Sequence, residues 1–259
     1  MIYKSVDEPI TNYIPELRNR GFQDVTIRHL LAMSSGIKYK EGLLLWGDDT
    51  KTYYATDLRR MALSEVEMKE EPGKFFWYNN YHPLLLGIIL ERATHKSVSQ
   101  YLEERIWKPL GMEYPASWST DSLEHGFEKM ESGINARAID FAKFGRLFLH
   151  QGNWEGKQII SPHWIAESTR PNRSVHPDYY RYYDNQSLQN FFRSDSGYYQ
   201  YLWWGYRRGD TGYDFFAMGN YGQFIYVSPL KHVTIVRNGR DWGKVDEWQK
   251  IFYDIASKL

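Results

Sequence analysis

Two changes of rhythm along the chain predict an α+β fold. From about residue 25 to 170 apolar residues recur at helical spacing between cap signals, and from about 199 to 259 β-branched and aromatic residues alternate between turn residues before a closing helix. A run of helices followed by strands in series predicts an antiparallel sheet flanked by helices, with a helix-rich lobe. The 259 residues, 42% hydrophobic, are enough for one large core or two modest ones, and residues 1–259 read as a single domain with a smaller helical lobe and no internal repeat.

Each element has a local cause. Thr26 caps VTIRHLLAMSSG, whose Ile27, Leu30 and Leu31 share a face and whose Gly36 is placed to end a helix of about residues 27–35. Pro72 and Gly73 mark a turn, Asn80 or His82 caps, and Pro83 suits the first helical position before LLLGIILERA, a helix apolar on nearly every side and therefore buried. Ser97 and Gln100 form a capping box for SVSQYLEERIW, and Pro109 stops it. Ala138, Phe141, Ala142, Gly145, Phe148 and Leu149 trace one face of a further helix. GNWEGK reads as a hairpin, and Ser161 with Pro162 opens a short helix. Residues 172–200 are polar, tyrosine-rich and without period, the pattern of a long loop or lid. YLWWGYRR, YDFFAMGN, QFIYVSP and HVTIVRNG read as consecutive strands, and Val245, Trp248, Phe252, Ile255 and Leu259 line one face of the last helix.

Composition narrows the function. Lys plus Arg and Asp plus Glu are both 32, so no basic face is set against a phosphate backbone and nucleic acid is not an expected partner. No run of eighteen apolar residues predicts a membrane span, and localisation is left open. With no cysteine there is no thiolate nucleophile or Cys-type zinc site; the eight histidines are scattered, and neither a metal nor a cofactor is expected. The Gly-x-Ser-x-Gly, His-Glu-x-x-His and Walker patterns are absent.

What stands out is Tyr78-Asn79-Asn80, two polar groups at the mouth of the apolar helix. In isolation these are a core tyrosine and a cap. In order, however, the chain carries VTIRHLLAMSSGI, PGKFFWYNNYHPLLLGIILERAT, YLEERIWKPLGM, ESGINARAIDFAKFGRLFL, GNWEGKQIISPHWI and GNYGQFIYVSP. From about residue 5 to the C-terminus this series resembles the β-lactamase-related, penicillin-binding-protein-like serine hydrolases, which include class C β-lactamases, carboxylesterases and nylon-oligomer hydrolases. The resemblance implies a β-lactamase/transpeptidase-like fold and acyl-enzyme chemistry on a small ester, amide or peptide-like substrate, with no cofactor. By resemblance Tyr78 is general base and acid, its phenolate favoured by a lysine of a Ser-x-x-Lys motif, and Asn80 fixes that lysine and the substrate carbonyl. Asn220, Tyr221, Gly222 and Gln223 stand where the family has Lys-Thr-Gly or His-x-Gly; Asn220 is neutral where a cation is usual, and Gly222 permits close backbone approach. Ser132 and Gly133 border the cleft by resemblance, the alternative being a simple approach to a helix capped by Asn135.

The nucleophile is not found. The family places Ser-x-x-Lys about 80 to 100 residues ahead of its Tyr-x-Asn, and only 77 residues precede Tyr78. Ser35-Gly36-Ile37-Lys38 falls at a helix C-terminus and Ser228-Pro229-Leu230-Lys231 in a hairpin turn, neither placing the lysine one turn above an activated serine. The expectation is a domain whose N-terminal part lies outside these residues, inactive and poorly soluble by itself. The rival readings are a non-catalytic binding protein that keeps the cleft, and sugar or peptide recognition through Tyr179 to Tyr183.

Overall fold

The computed structural model describes every residue except 1–4, 43–46, 181–185, 194–195 and 246. The chain divides into two compact units.

The first unit gathers Met1–Leu102, Ser117–Ile134 and His176–Asp184. Its helices are α1 (Ile27–Leu31), α2 (Asp48–Tyr54), α3 (Leu58–Ser64), α4 (Tyr81–Thr94) and α5 (Val98–Leu102). α4 is the axis: α1 and α3 pack on it, and Tyr81, His82, Leu84, Leu85, Gly87, Ile88 and Ile89 are buried. Gly87 is required there, because a Cβ would stand 2.5 Å from Met130 Cγ. Arg59 braces this helix, bonding Glu91 at 2.8 and 2.6 Å with its guanidinium 4.4 Å over the Phe127 ring. Thr26 caps α1 as expected, His29 N–H donating to its hydroxyl and Thr26 N–H to His29 Nδ1. The helix stops earlier than the sequence predicts, at Leu31, because Met33 takes the left-handed conformation (φ 55). Gly36 serves a close backbone approach instead, since Lys69 and Glu70 N–H both bond its carbonyl and a Cβ would lie 2.2 Å from Glu70 O. The capping box of Ser97 and Gln100 forms at 3.3 Å in both directions.

The second unit gathers Glu103–Ala116, Asn135–Val175 and Asn185–Leu259. It opens on a π-helical turn, Glu103–Trp107, where the sequence reads ordinary helical spacing. α6 (Ala138–Leu149) follows, begun at Arg137 rather than at Asn135, then the hairpin of Asn153–Trp154 with Lys157–Gln158, and α7 (Pro162–Thr169), with Trp164 N–H donating to Ser161 Oγ at 3.2 Å. The expected loop 172–200 is not one loop: Pro177–Tyr180 is a 3-10 turn of the first unit, Gln186–Arg193 is helix α8, and Gly197–Gln200 is strand β1; residues 181–185 and 194–195 of it lie outside the described residues. Phe191 and Phe192 explain α8, since they pack on Trp204 at 5.8 and 6.0 Å.

β2 (Trp203–Arg208), β3 (Gly212–Gly219), β4 (Gln223–Ser228) and β5 (Val233–Arg237) continue from β1 as a five-stranded antiparallel meander in chain order. Tyr201 and Leu202, expected in a strand, form the β1–β2 turn, both at positive φ, as a two-residue hairpin loop needs. Alternation sends Phe215, Val227 and Trp203 to the face under α6, where a Cβ on Gly145 would meet Thr234 Cγ2 at 2.6 Å. Phe224 and Tyr226 face α9 (Trp248–Lys258) through Phe252, at 5.4 and 5.9 Å. The buried face of α9 carries Phe252 and Ala256; Ile255 and Leu259, expected on it, are 45% and 75% exposed.

Inside the sheet the Asp214 carboxylate, fully buried, accepts from Arg208 Nε at 2.6 Å, from Ser228 Oγ at 2.7 Å and from the Tyr226 hydroxyl. Arg208, 8% exposed, also bonds Tyr253 O and Ser257 Oγ of α9. Removing one partner of such a pair strands the other charge, so Asp214→Ala is expected to cost about 3 to 5 kcal/mol in urea unfolding. Arg208→Met in the same chain is expected to recover part of it.

Candidate active site

The turn that carries the Tyr-x-Asn motif is built backbone first. Gly73 N–H bonds Ser34 O at 2.7 Å, Trp77 N–H bonds Met33 O at 2.7 Å, and Phe76 N–H bonds Tyr179 O at 2.8 Å. The chain is thus laid along the residues that follow α1. Asn79, 1% exposed, then caps α4: its Oδ1 accepts from His82 N–H at 3.2 Å, and its Nδ2 donates to Trp77 O at 3.3 Å. Of the expected caps, Asn80 stands at the N-cap position but makes no side-chain cap bond, His82 is second in the helix, and Pro83 is third rather than first.

His82 is buried, and burial alone pushes its imidazole down to about 3, so the ring is neutral. Its Nε2 lies 2.5 Å from Ser35 Oγ and its Nδ1 2.8 Å from Met33 Sδ, while Ile37 N–H donates to Ser35 Oγ at 3.2 Å. These contacts assign the proton to Nδ1, with Nε2 accepting from the Ser35 hydroxyl. Ser35 is fully buried, and Lys38 pairs with Glu67 at the surface at 2.9 Å. The Lys38 ammonium is therefore engaged at the surface, and the Ser35 hydroxyl is part of the packing.

Tyr78 is half-buried. Burial pushes its phenol up to about 12, reinforced by Tyr53 and by the carboxylates Glu41, Asp49 and Glu131. Glu131 is raised by burial to about 7, and both its carboxylate oxygens are buried without a hydrogen bond. In these surroundings Tyr78 is a protonated phenol at neutral pH, and a cation is what would make it a base. Asn80, 8% exposed, donates from Nδ2 to Thr52 Oγ1 at 2.9 Å, which fastens the turn to α2. Ser132 and Gly133 belong to the same unit. Trp118 Nε1 donates to Ser132 O at 2.9 Å, Ser119 N–H to Gly133 O at 3.0 Å, and Gly133 sits at φ +92.

Asn220, Tyr221 and Gly222 belong to the second unit, as the loop of the β3–β4 hairpin closed by the pair Gly219↔Gln223. Tyr221 is 64% exposed at φ 61. Gly222 is buried, and a Cβ on it would stand 2.6 Å from Arg237 Nη1. Arg237 donates to Gly222 O at 2.6 Å and Tyr221 O at 3.2 Å. Gln223 accepts from Gly239 N–H at 2.9 Å and donates back to Gly239 O. Sequence reasoning missed Arg237, a cation brought to the loop beside neutral Asn220 by the register Phe224↔Arg237. Among the described residues no cluster of His, Asp or Glu is arranged for a metal, and no helix is long and apolar enough to cross a membrane. Of the tyrosine cluster, Tyr179 and Tyr180 pack on Phe76 at 6.4 and 5.4 Å, whereas residues 181–183 lie outside the described residues.

The Beta-lactamase family profile matches residues 4–255. The chain belongs to the Beta-lactamase family. It is 24% identical over 243 residues to the 6-aminohexanoate-dimer hydrolase of Paenarthrobacter ureafaciens, covering 89% of this chain and 58% of that protein. A Bacillus anthracis structure provisionally described as a 6-aminohexanoate-dimer hydrolase superposes with TM-score 0.81 at 26% identity, covering 98% of this chain and 66% of that one. A class C beta-lactamase shares the fold with TM-score 0.68 at 16% identity, over 98% of this chain and 75% of that one. The helices on an antiparallel sheet are thus those of the β-lactamase/transpeptidase fold, and the chain spans little more than half the length of the curated relative it matches.

His82, held near 3 against an ordinary 6.5, makes the unfolded state take up a proton first as pH falls. Its contribution is complete above about pH 6.5 and is lost toward about 3, by up to about 1.4 kcal/mol per pH unit. Glu131, raised above its unfolded value, works in the opposite sense, so the difference between wild type and His82→Gln is the measure. Urea unfolding at pH 7 and 5 is expected to show the smaller acid loss in the variant.

Proposed function

We propose that the chain is the Tyr-x-Asn portion of a serine hydrolase that cleaves an ester or amide through an acyl-enzyme. The observation that supports this is the turn at Tyr78: a phenol pushed up to about 12 among carboxylates, at the head of a buried helix, in a chain matched to the Beta-lactamase family over residues 4–255. In this reading a lysine ammonium settles among Glu41, Asp49 and Glu131 and favours the phenolate. Tyr78 then takes the proton of a serine hydroxyl as it attacks the carbonyl, and returns it to the leaving alkoxide or amine. Water repeats the sequence on the acyl-enzyme. Asn80, its Nδ2 held by Thr52, offers its carbonyl oxygen to the ammonium. Asn220, Tyr221, Gly222 and Gln223 are assigned to substrate contact, as are Ser132 and Gly133.

Neither Ser-x-x-Lys within these residues supplies the nucleophile, since Ser35 is sealed against His82 and Ser228 is committed to Asp214. We infer that the 259 residues alone do not turn over substrate. That same sequestration favours a second reading, a binding protein that keeps these side chains without the chemistry. The name of the Paenarthrobacter ureafaciens relative supports a small linear amide as the substrate class.

Fluorophosphonate labelling separates the two. On the 259 residues no serine is expected to be modified; on a chain extended through the upstream reading frame one Ser-x-x-Lys serine is. In that longer chain Tyr78→Phe is expected to lower kcat/KM on an ester or amide by about 10²- to 10⁴-fold. Adduct on Ser35 or Ser228, or no adduct on any serine of the longer chain, overturns the proposal.

A further inference from the structure

Asn238-Gly239 is the one Asn-Gly pair in the sequence. In such a pair no side chain on the second residue hinders its nitrogen from closing on the asparagine carboxamide, which is the chemistry that makes asparagine thermolabile. A bulkier successor would suppress the reaction, but here it is shut out: a Cβ at 239 would stand 1.7 Å from Arg237 Nη1 and 2.5 Å from Tyr221 O. The packing that brings Arg237 to the β3–β4 loop therefore exposes Asn238 to its own backbone. The same guanidinium, this close to Gly239, favours the deprotonated amide nitrogen that closure needs. One side chain opposes it. Gln223 grips Gly239 twice, its Oε1 accepting from the Gly239 N–H at 2.9 Å and its Nε2 donating to Gly239 O. An amide held in this way neither yields its proton nor swings onto its neighbour. The Asn238 carboxamide is tied as well, Nδ2 donating to Ala136 O at 3.1 Å. All of these residues lie in the second unit.

We propose that Asn238 is a self-modification site whose rate is set by Gln223. When the clamp opens, Gly239 N gives its proton to hydroxide and attacks Asn238 Cγ. The N–Cγ bond forms, the Cγ–Nδ2 bond breaks, and Nδ2 leaves as ammonia with a proton from water, which returns the hydroxide. One water then opens the five-membered imide. Addition at Cγ gives aspartate, and addition at the main-chain carbonyl gives isoaspartate, whose main chain runs through Cγ. Nothing is oxidised or reduced. Either product exchanges a donor for a carboxylate, taking the formal net charge from 0 to −1. It also turns the bond from Nδ2 to Ala136 O into a repulsion between two oxygens, so the tie between the end of β5 and the residues leading into α6 is lost. This inference does not depend on the proposed chemistry.

The test is incubation of the 259 residues at neutral pH for days, followed by digestion, with mass spectrometry of the peptide holding residue 238 for conversion of amide to acid and isoaspartyl methyltransferase labelling for isoaspartate. In the folded chain Asn238 is expected to convert before every other asparagine. Its rate is expected to lie at least about tenfold below that of the same chain unfolded in urea, where the two bonds of the clamp are gone. Gln223→Ala is expected to raise the folded rate by about tenfold, with the amides of β2 and β3 still protected from exchange. If that variant unfolds, the ratio of folded to urea-unfolded wild type decides. Equal rates in folded wild type and folded Gln223→Ala overturn the proposal. So do equal rates in folded and unfolded wild type, no conversion at 238 in the folded chains, and another asparagine converting first.

Discussion

The hydrogen bond between Ser35 and His82 is the constraint on which the candidate site depends. It joins the residues after α1 to the first turn of α4, and burial keeps the imidazole neutral, with Nε2 accepting from the Ser35 hydroxyl. With Nε2 held, His82 presents its backbone N–H to Asn79, and Asn79 closes the turn onto Trp77 O. Tyr78 and Asn80, on either side of Asn79, thereby lose the freedom a surface loop would have. A catalytic pair needs its rotamers locked by neighbours of this sort, and here the lock lies one layer behind the motif. It also buries the hydroxyl of Ser35, while Lys38, three residues on, pairs with Glu67 at the surface.

Electrostatics then sets what the turn can do. Burial, Tyr53 and the carboxylates Glu41, Asp49 and Glu131 oppose ionisation of the Tyr78 phenol, and Glu131 is itself raised to about 7 with both oxygens buried without a hydrogen bond. Such an assembly is costly for a fold and is the kind of arrangement found where a charge of the other sign is received. In the proposed mechanism the carboxylates that make Tyr78 a poor base alone hold the ammonium that makes it a good one.

Much of the architecture was legible because its causes are local. Thr26, Ser161, the Ser97 and Gln100 box and the GNWEGK hairpin are each satisfied within four residues, so their signals survive without tertiary information. Four of the five strands of the meander were legible from alternation, the exception being Gly197–Gln200, and the place of Tyr78 and Asn80 just before an apolar helix was legible too. The failures have tertiary causes. Helix α8 exists because Phe191 and Phe192 meet Trp204, a partner in another element. One cause is local: Asn79 supplies the side-chain cap of α4 because Asn80, the residue just before the helix, already has helical backbone angles, φ −78 and ψ −18. Leu31 ends α1 because the backbone at Met33 must turn to receive Trp77. The Asp214 network was invisible, since Arg208, Asp214, Tyr226 and Ser228 are polar residues on a sheet face that is buried because α9 packs over it, a partner outside the strands.

Arg237 shows how far sequence could have gone. The neutral Asn220 departs from the family pattern when the loop is read along the chain, because a motif counts neighbours in sequence. Hairpin register counts them in space. Once QFIYVS and VTIVR are taken as adjacent antiparallel strands joined by a four-residue turn, Ser228 must face Val233, and counting outward brings Arg237 opposite Phe224, one residue beyond Gln223. Its guanidinium then reaches the Gly222 and Tyr221 carbonyls, and only a glycine at 222 leaves room for it. The positive charge is therefore present at this loop but is supplied by the neighbouring strand. Glycine at 222 and arginine at 237 form one feature, and a substitution at either is felt through the other.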